Sequence, residues 1–204
     1  RARARQFRAA RAFLDSLPKP QVVVPGNHDV PLYNVLARFV APLAGYRRVI
    51  AEDVEPGFVD DEIAVLGVNT ARSFVFKGGR VSEPQLARVR EALGRLAGVR
   101  TRIVVSHHPS GALEKLADFG VDVFVSGHHH ATRTAHRRIG RMSVVIVEAG
   151  TATSQRTREE PNAFNVLRIS QGRIEVEHYA LRGGNFMRAA ADAFLREDTG
   201  WRRV

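Results

Sequence analysis

The stretch Val121-Asp122-Val123-Phe124-Val125-Ser126-Gly127-His128-His129-His130 is a short apolar run that empties into a histidine-rich loop. Apolar runs of this length bounded by turn residues suit a strand buried on both faces. The same arrangement occurs twice upstream. Val22-Val23-Val24 leads into Pro25-Gly26-Asn27-His28-Asp29, and residues 102–106 lead into His107-His108-Pro109. A further apolar segment, residues 62–68, leads into Asn69-Thr70-Ala71-Arg72.

Helical patterns lie between these runs. Phe7, Ala10, Leu14 and Leu17 recur at helical spacing over residues 4–17, with Arg at many of the other positions, and Pro18 and Pro20 end the element. A short helix is expected over residues 31–40. Ser82 with Gln85 three residues on, and Pro84 in the first turn, is a helix start whose apolar stripe is Leu86, Val89, Leu93 and Leu96. Residues 112–119 form another, stopped by Gly120. Strands alternating with helices predict an α/β layered fold, in which ligand sites gather at the carboxyl ends of the strands.

The last third changes character. Residues 143–148, 163–169 and 173–181 read as strands, with Gln171-Gly172 as a hairpin turn, so antiparallel sheet should close the domain. Gly183-Gly184 marks the expected boundary between a domain of residues 1–182 and a tail of residues 183–204, helical over residues 186–196.

Composition narrows the function. A chain of 204 residues, 44% hydrophobic and 25% charged, can bury one sizeable core. It has no apolar run long enough for a membrane span and no signal-peptide pattern, so a cytoplasmic protein without a membrane partner is expected. With no Cys, disulfides and thiolate metal sites are excluded, and any metal must be held by His, Asn or carboxylate groups. The formal charge of +10 invites a nucleic-acid reading. The Arg residues are nevertheless scattered as singles and pairs with no aromatic-flanked basic block, a pattern of solvated faces, so nucleic acid is not favoured. The field would still draw in a small anionic substrate.

The loops carry donor chemistry. Gly26 permits a tight turn, and the Asn27 side-chain oxygen is a hard neutral donor suited to a divalent ion, while neighbouring His28 can face a substrate. Pro109 biases His108 towards an extended backbone, and in an extended segment adjacent side chains diverge, so only one of His107 and His108 should reach a given ion. By the same rule His128 and His130 project together towards two adjacent ions and His129 points away. Asp29 is expected to cap its turn. A histidine tag would sit at a terminus, whereas this tract ends a buried run.

Together these loops resemble the calcineurin-like metallophosphoesterase superfamily, whose later signatures are Gly-Asn-His-Asp/Glu, a His two residues before Pro, and Gly-His-x-His. Gly26-Asn27-His28-Asp29, His107-His108-Pro109 and Gly127-His128-His129-His130 follow in that order, each after a strand, and the resemblance spans essentially the whole chain. It is most similar to bacterial cyclic-nucleotide phosphodiesterase-type members. The resemblance implies a layered metallophosphoesterase-type β-sandwich flanked by helices and a dinuclear centre of two divalent metal ions, Mn, Fe, Zn or Ni. Carried over by position, Asn27, His107 and His128 would bind one ion and His130 the other. His28 would be catalytic, contacting the phosphoryl group. His108 and His129 match no ligand position and would serve as outer-shell or substrate-facing groups.

The implied activity is metal-dependent hydrolysis of a phosphate ester, most simply a phosphodiesterase acting on a small substrate such as a cyclic nucleotide. A nuclease or phosphomonoesterase of the same superfamily, or a non-catalytic scaffold with its fold, are the alternatives. The presence of Asn27, His28, His107, His128 and His130 argues against the scaffold. Superfamily members also carry Asp-x-His and Gly-Asp on their first two strands, and neither occurs here. The expectation is that the first strands are missing from this sequence, that the second ion keeps only His130, and that residues 1–204 alone hydrolyse a phosphodiester little or not at all.

Overall fold

Successive side chains of a strand leave opposite faces, so a run that is apolar at every position must be covered on both sides. The computed structural model describes residues 3–73, 79–96, 98, 100–109, 111–153 and 160–204. In it, β2 (Ile63–Val68), β3 (Thr101–Ser106), β4 (Val123–Ser126) and β6 (Met142–Glu148) run parallel at the centre of a six-stranded sheet. The antiparallel strands β1 (Gly57–Val59) and β5 (Arg133–Ile139) form its edges. On one face Leu66, Val68, Val104, Phe124 and Val144 pack under α4 (Glu83–Gly94) and α5 (Leu113–Asp118) through Leu86, Val89, Leu93, Leu113 and Leu116. On the other, Ile103, Val123, Val145 and Val147 meet a second sheet through Ile174, Val176, Phe194 and Trp201. That sheet is antiparallel, in the order β10 (Gly200–Arg203), β9 (Asn185–Glu197), β8 (Arg173–Arg182), β7 (Ala163–Ser170). The result is the expected layered α/β sandwich.

Asp122, the one acid inside the decisive apolar stretch, joins the layers. Its carboxylate accepts from Trp201 Nε1 at 3.0 Å, from Arg196 at 2.9 Å and from the backbone N–H of Arg102 at 2.8 Å. A buried carboxylate is tolerable because these donors replace its water.

A third cluster seats the first loop. Phe7 of α1 (Ala4–Asp15) packs with Val30, Leu43, Ala71, and Tyr46 and Ile50 at α3 (Ala44–Val49), and a Cβ at Gly45 would stand 2.7 Å from the Phe7 ring. Tyr46 Oη donates to the Val23 carbonyl at 2.8 Å. Between these helices, α2 (Val35–Val40) begins later than expected because Asn34 Oδ1 accepts from the Ala37 N–H at 2.9 Å and caps it there.

Two expectations are corrected. Residues 22–24 are irregular and half-buried, not a strand. The slot beside β2 is taken by β1, and Gly67 N–H continues that pairing by donating to the Pro56 carbonyl at 2.7 Å. Residues 186–196 belong to strand β9 and are not helical. Gly183 and Gly184, at φ +57° and +85°, form the two-residue turn of a hairpin whose ladder runs from Arg182 opposite Asn185 to Arg173 opposite Leu195. Continuous pairing with β8 and β10 overrides the helical preference of the Ala-rich run. Residues 183–204 therefore complete the second sheet instead of trailing from it. Phe194 is fully buried and Trp201 nearly so, at 0% and 3% exposure. We expect Phe194→Ala to cost about 3–5 kcal/mol in urea unfolding. A loss near zero would mean that this hairpin is dispensable.

Candidate metal centre

Parallel pairing puts the carboxyl ends of β2, β3 and β4 on one edge: Val68 stands opposite Ser106 and Val105 opposite Val125. Loops 69–72, 107–109 and 127–130 therefore emerge side by side. Gly127 N–H donates to the His107 carbonyl at 3.0 Å and fastens the second to the third. The Gly26–Asp29 turn closes on them from the third cluster, where Val30 is buried. Asp29 Oδ2 accepts from Gly26 N–H at 2.8 Å, and Asp29 N–H donates to the Gly26 carbonyl at 3.0 Å. Burial pushes the Asp29 carboxyl above its ordinary pKa, against the lowering effect of the Gly26 N–H. Gly26 is needed for close approach, since a Cβ there would stand 2.8 Å from His107 Nδ1.

The three loops converge. His107 Nε2 lies 3.0 Å from Asn27 Oδ1 and 3.3 Å from His128 Nδ1. One nitrogen from each of His107, His108 and His128 lies within 4.8 Å of the others. His28 and His130 are near enough for their charge to act on His107, and His130 Nδ1 is buried without a hydrogen-bond partner. His128 and His130 both sit in the left-handed region, at φ 72° and 60°. That conformation is costly for a residue with a Cβ and is found where surrounding structure enforces it.

One expectation built on the extended-chain rule changes. β3 ends at Ser106 and residues 107–108 form a bend, so the two side chains do not diverge: the His107 and His108 rings lie 4.7 Å apart, and His108 lies 4.4 Å from His128. His108 is 1% exposed. His129, half-exposed, does turn aside, with Nδ1 3.5 Å from Glu148 Oε1 at the end of β6.

Two participants went unrecognised in the sequence. Thr70, flagged only as part of a polar segment after β2, is wholly buried, with Oγ1 2.9 Å from His108 Nδ1 and accepting the His108 N–H at 3.2 Å. Glu148 is the other; a lone acid at the end of an apolar strand was the available signal. Beside Thr70, Gln85 Nε2 donates to the Asn69 carbonyl at 2.8 Å, and the Arg72 guanidinium donates to Gln85 Oε1 instead of standing free in solvent. Residues 151–158, a loop whose Arg residues could face a substrate, lie partly outside the described residues.

His107 and His108 are held neutral. Burial lowers the His107 pKa to about 3, assisted by His108, His128, His28 and His130; burial, then His128 and His129, lowers that of His108 to about 4. Neutral rings keep the lone pairs a metal ion requires.

The family model described as calcineurin-like phosphoesterase matches residues 3–132. No curated protein matches the chain in sequence. Among solved structures, purple acid phosphatase PPD1 from yellow lupin (Lupinus luteus) gives a TM-score of 0.61 at 11% identity, covering 88% of this chain and 41% of that one. Vps29 from Cryptosporidium parvum gives 0.48 at 17% identity, covering 93% and 77%. The lupin likeness is one of fold alone.

Depressed histidine pKa values link stability to pH. The unfolded chain binds protons at His107 and His108 near pH 6.5, whereas the folded chain resists them down to about 3 and about 4 respectively. Across that window the unfolded state holds more protons, so metal-free stability falls as pH falls. Urea midpoints measured from pH 7 to pH 4 should decline, and less steeply in His108→Gln. Parallel profiles for the two proteins would contradict this assignment.

Proposed function

Since the chain belongs to the calcineurin-like phosphoesterase family, we propose that its loops form the metal centre of a phosphodiesterase for a small anionic ester, with a cyclic nucleotide first among candidates. The observation that carries this reading is the meeting of Asn27, His107 and His128 at the carboxyl ends of parallel strands.

The donors fit a divalent ion. Around a tetrahedral ion with nitrogen ligands at about 2.0–2.1 Å, neighbouring donors stand roughly 3.3 Å apart. The separation of His107 Nε2 from His128 Nδ1 is 3.3 Å, and that of His107 Nε2 from Asn27 Oδ1 is 3.0 Å. In this proposal Asn27, His107 and His128 hold one ion and His130 contributes to a second, as Mn, Fe, Zn or Ni. Among the described residues the group able to hold an ion contains no carboxylate, so the second ion would need acidic ligands from an Asp-x-His and Gly-Asp segment. Bound ions would polarise the phosphoryl oxygens and lower the pKa of water towards neutrality.

The remaining work falls to the chain's own residues. His28, beside Asn27 on the turn fixed by Asp29, is assigned to the phosphoryl group, where an imidazole N–H offsets growing negative charge and assists departure of the alcohol. The net charge of +10 favours approach of an anionic ester. It also favours the second reading, a nuclease. The proposed substrate is a small molecule and the proposed compartment the cytoplasm; among the described residues no helix is long and apolar enough to cross a membrane.

The test uses the natural full-length protein that contains this sequence. With added Mn²⁺ it should hydrolyse cyclic AMP in preference to single-stranded DNA, and His28→Ala should lower kcat by about 10²–10⁴-fold with bound metal unchanged. Preference for DNA would select the nuclease, and metal binding without turnover of any ester would select the scaffold.

A further inference from the structure

His108 occupies the position between the metal-binding His and the Pro, where the superfamily pattern assigns no ligand. Its surroundings are those of a ligand. The side chain is buried and Nδ1 is engaged by Thr70, while Nε2 is buried with no hydrogen-bond partner. Buried polar atoms in folded proteins are nearly always paired, so an orphan ring nitrogen beside two other imidazoles calls for an occupant.

The ring is also held in place. Ser106 Oγ donates to the His108 carbonyl at 2.6 Å, and Gly79 packs so closely that a Cβ there would stand 2.3 Å from the His108 Cβ. Thr70 Oγ1 has two lone pairs. One accepts the His108 backbone N–H, and the other can accept an Nδ1–H, the tautomer that leaves the Nε2 lone pair free.

We propose that His108 Nε2 is a direct ligand of the first ion, completing a three-imidazole set with His107 and His128, and that Thr70 is the positioning residue that orients it. Three neutral imidazoles with one amide oxygen form a donor set for a borderline cation such as Zn²⁺, and a poor one for Mg²⁺. An outer partner of a ligating His fixes its tautomer and raises its basicity, which is the part Thr70 plays. The inference rests on the metal-centre reading above and adds a ligand to it.

The test is nuclear magnetic resonance of residues 1–204, ¹⁵N-labelled at histidine and titrated with ¹¹³Cd²⁺, with ring signals assigned through His108→Gln. Cadmium–nitrogen couplings should appear on His107, His108 and His128. Zn²⁺ affinity should fall about 10–100-fold in Thr70→Val, a variant that removes the hydroxyl and keeps the shape. Couplings on His107 and His128 alone, with Thr70→Val binding Zn²⁺ as the unaltered chain does, would overturn the role of His108 and leave the metal centre standing. If Cd²⁺ bound to none of the three rings, the metal-centre reading would fall together with this one.

Discussion

Parallel hydrogen bonding among β2, β3, β4 and β6 is the constraint from which the rest follows. Parallel strands end on the same edge, so the loops leaving them are neighbours whatever their separation in sequence. That is how His107 and His128, on different loops, come within 3.3 Å, while the turn seated by α1 and α3 brings Asn27 within 3.0 Å of His107. The sheet can be parallel because both of its faces are covered, one by α4 and α5 and the other by the second sheet. Truncating Phe194 or Trp201 would loosen the support of the loops without touching a ligand.

The same architecture sets the electrostatics. Loops pressed together at a strand edge bury their imidazoles, and burial with mutual proximity makes protonation of His107 and His108 costly. The cost is tolerable near neutral pH, where neutral rings are the natural state. His128 and His130 at positive φ add backbone strain. Strain, an orphan Nε2 on His108 and an orphan Nδ1 on His130 are arrangements that a folded chain keeps where an occupant compensates for them.

The layered fold was legible because apolar runs such as residues 102–106 and 121–125 admit few readings, and the loops were legible because three donor-rich segments each follow an apolar run, although Gly26-Asn27-His28-Asp29 alone reads as an ordinary turn. The errors have a shared cause, which is tertiary context. Val22 to Val24 look like a buried strand, but a run cannot show that β1 occupies the neighbouring slot. The Ala-rich run after Gly184 looks helical, and only its ladder with β8 makes it a strand. Gly183-Gly184 was itself a readable hairpin signal. The divergence expected of His107 and His108 came from a rule for extended backbone that ceases to apply where β3 ends. Thr70 was out of reach of the sequence, because a buried Thr is recognised by its neighbour and not by its own identity.

The central claim is that imidazoles from different loops bind one cation together. X-ray absorption at the zinc edge, on protein loaded with one equivalent of Zn²⁺, reports the ligand shell directly. Zinc held by Asn27, His107 and His128 would show nitrogen and oxygen neighbours at about 2.0–2.1 Å, with the outer scattering of at least two imidazole rings. A shell of water-like oxygens with no imidazole signature would contradict it.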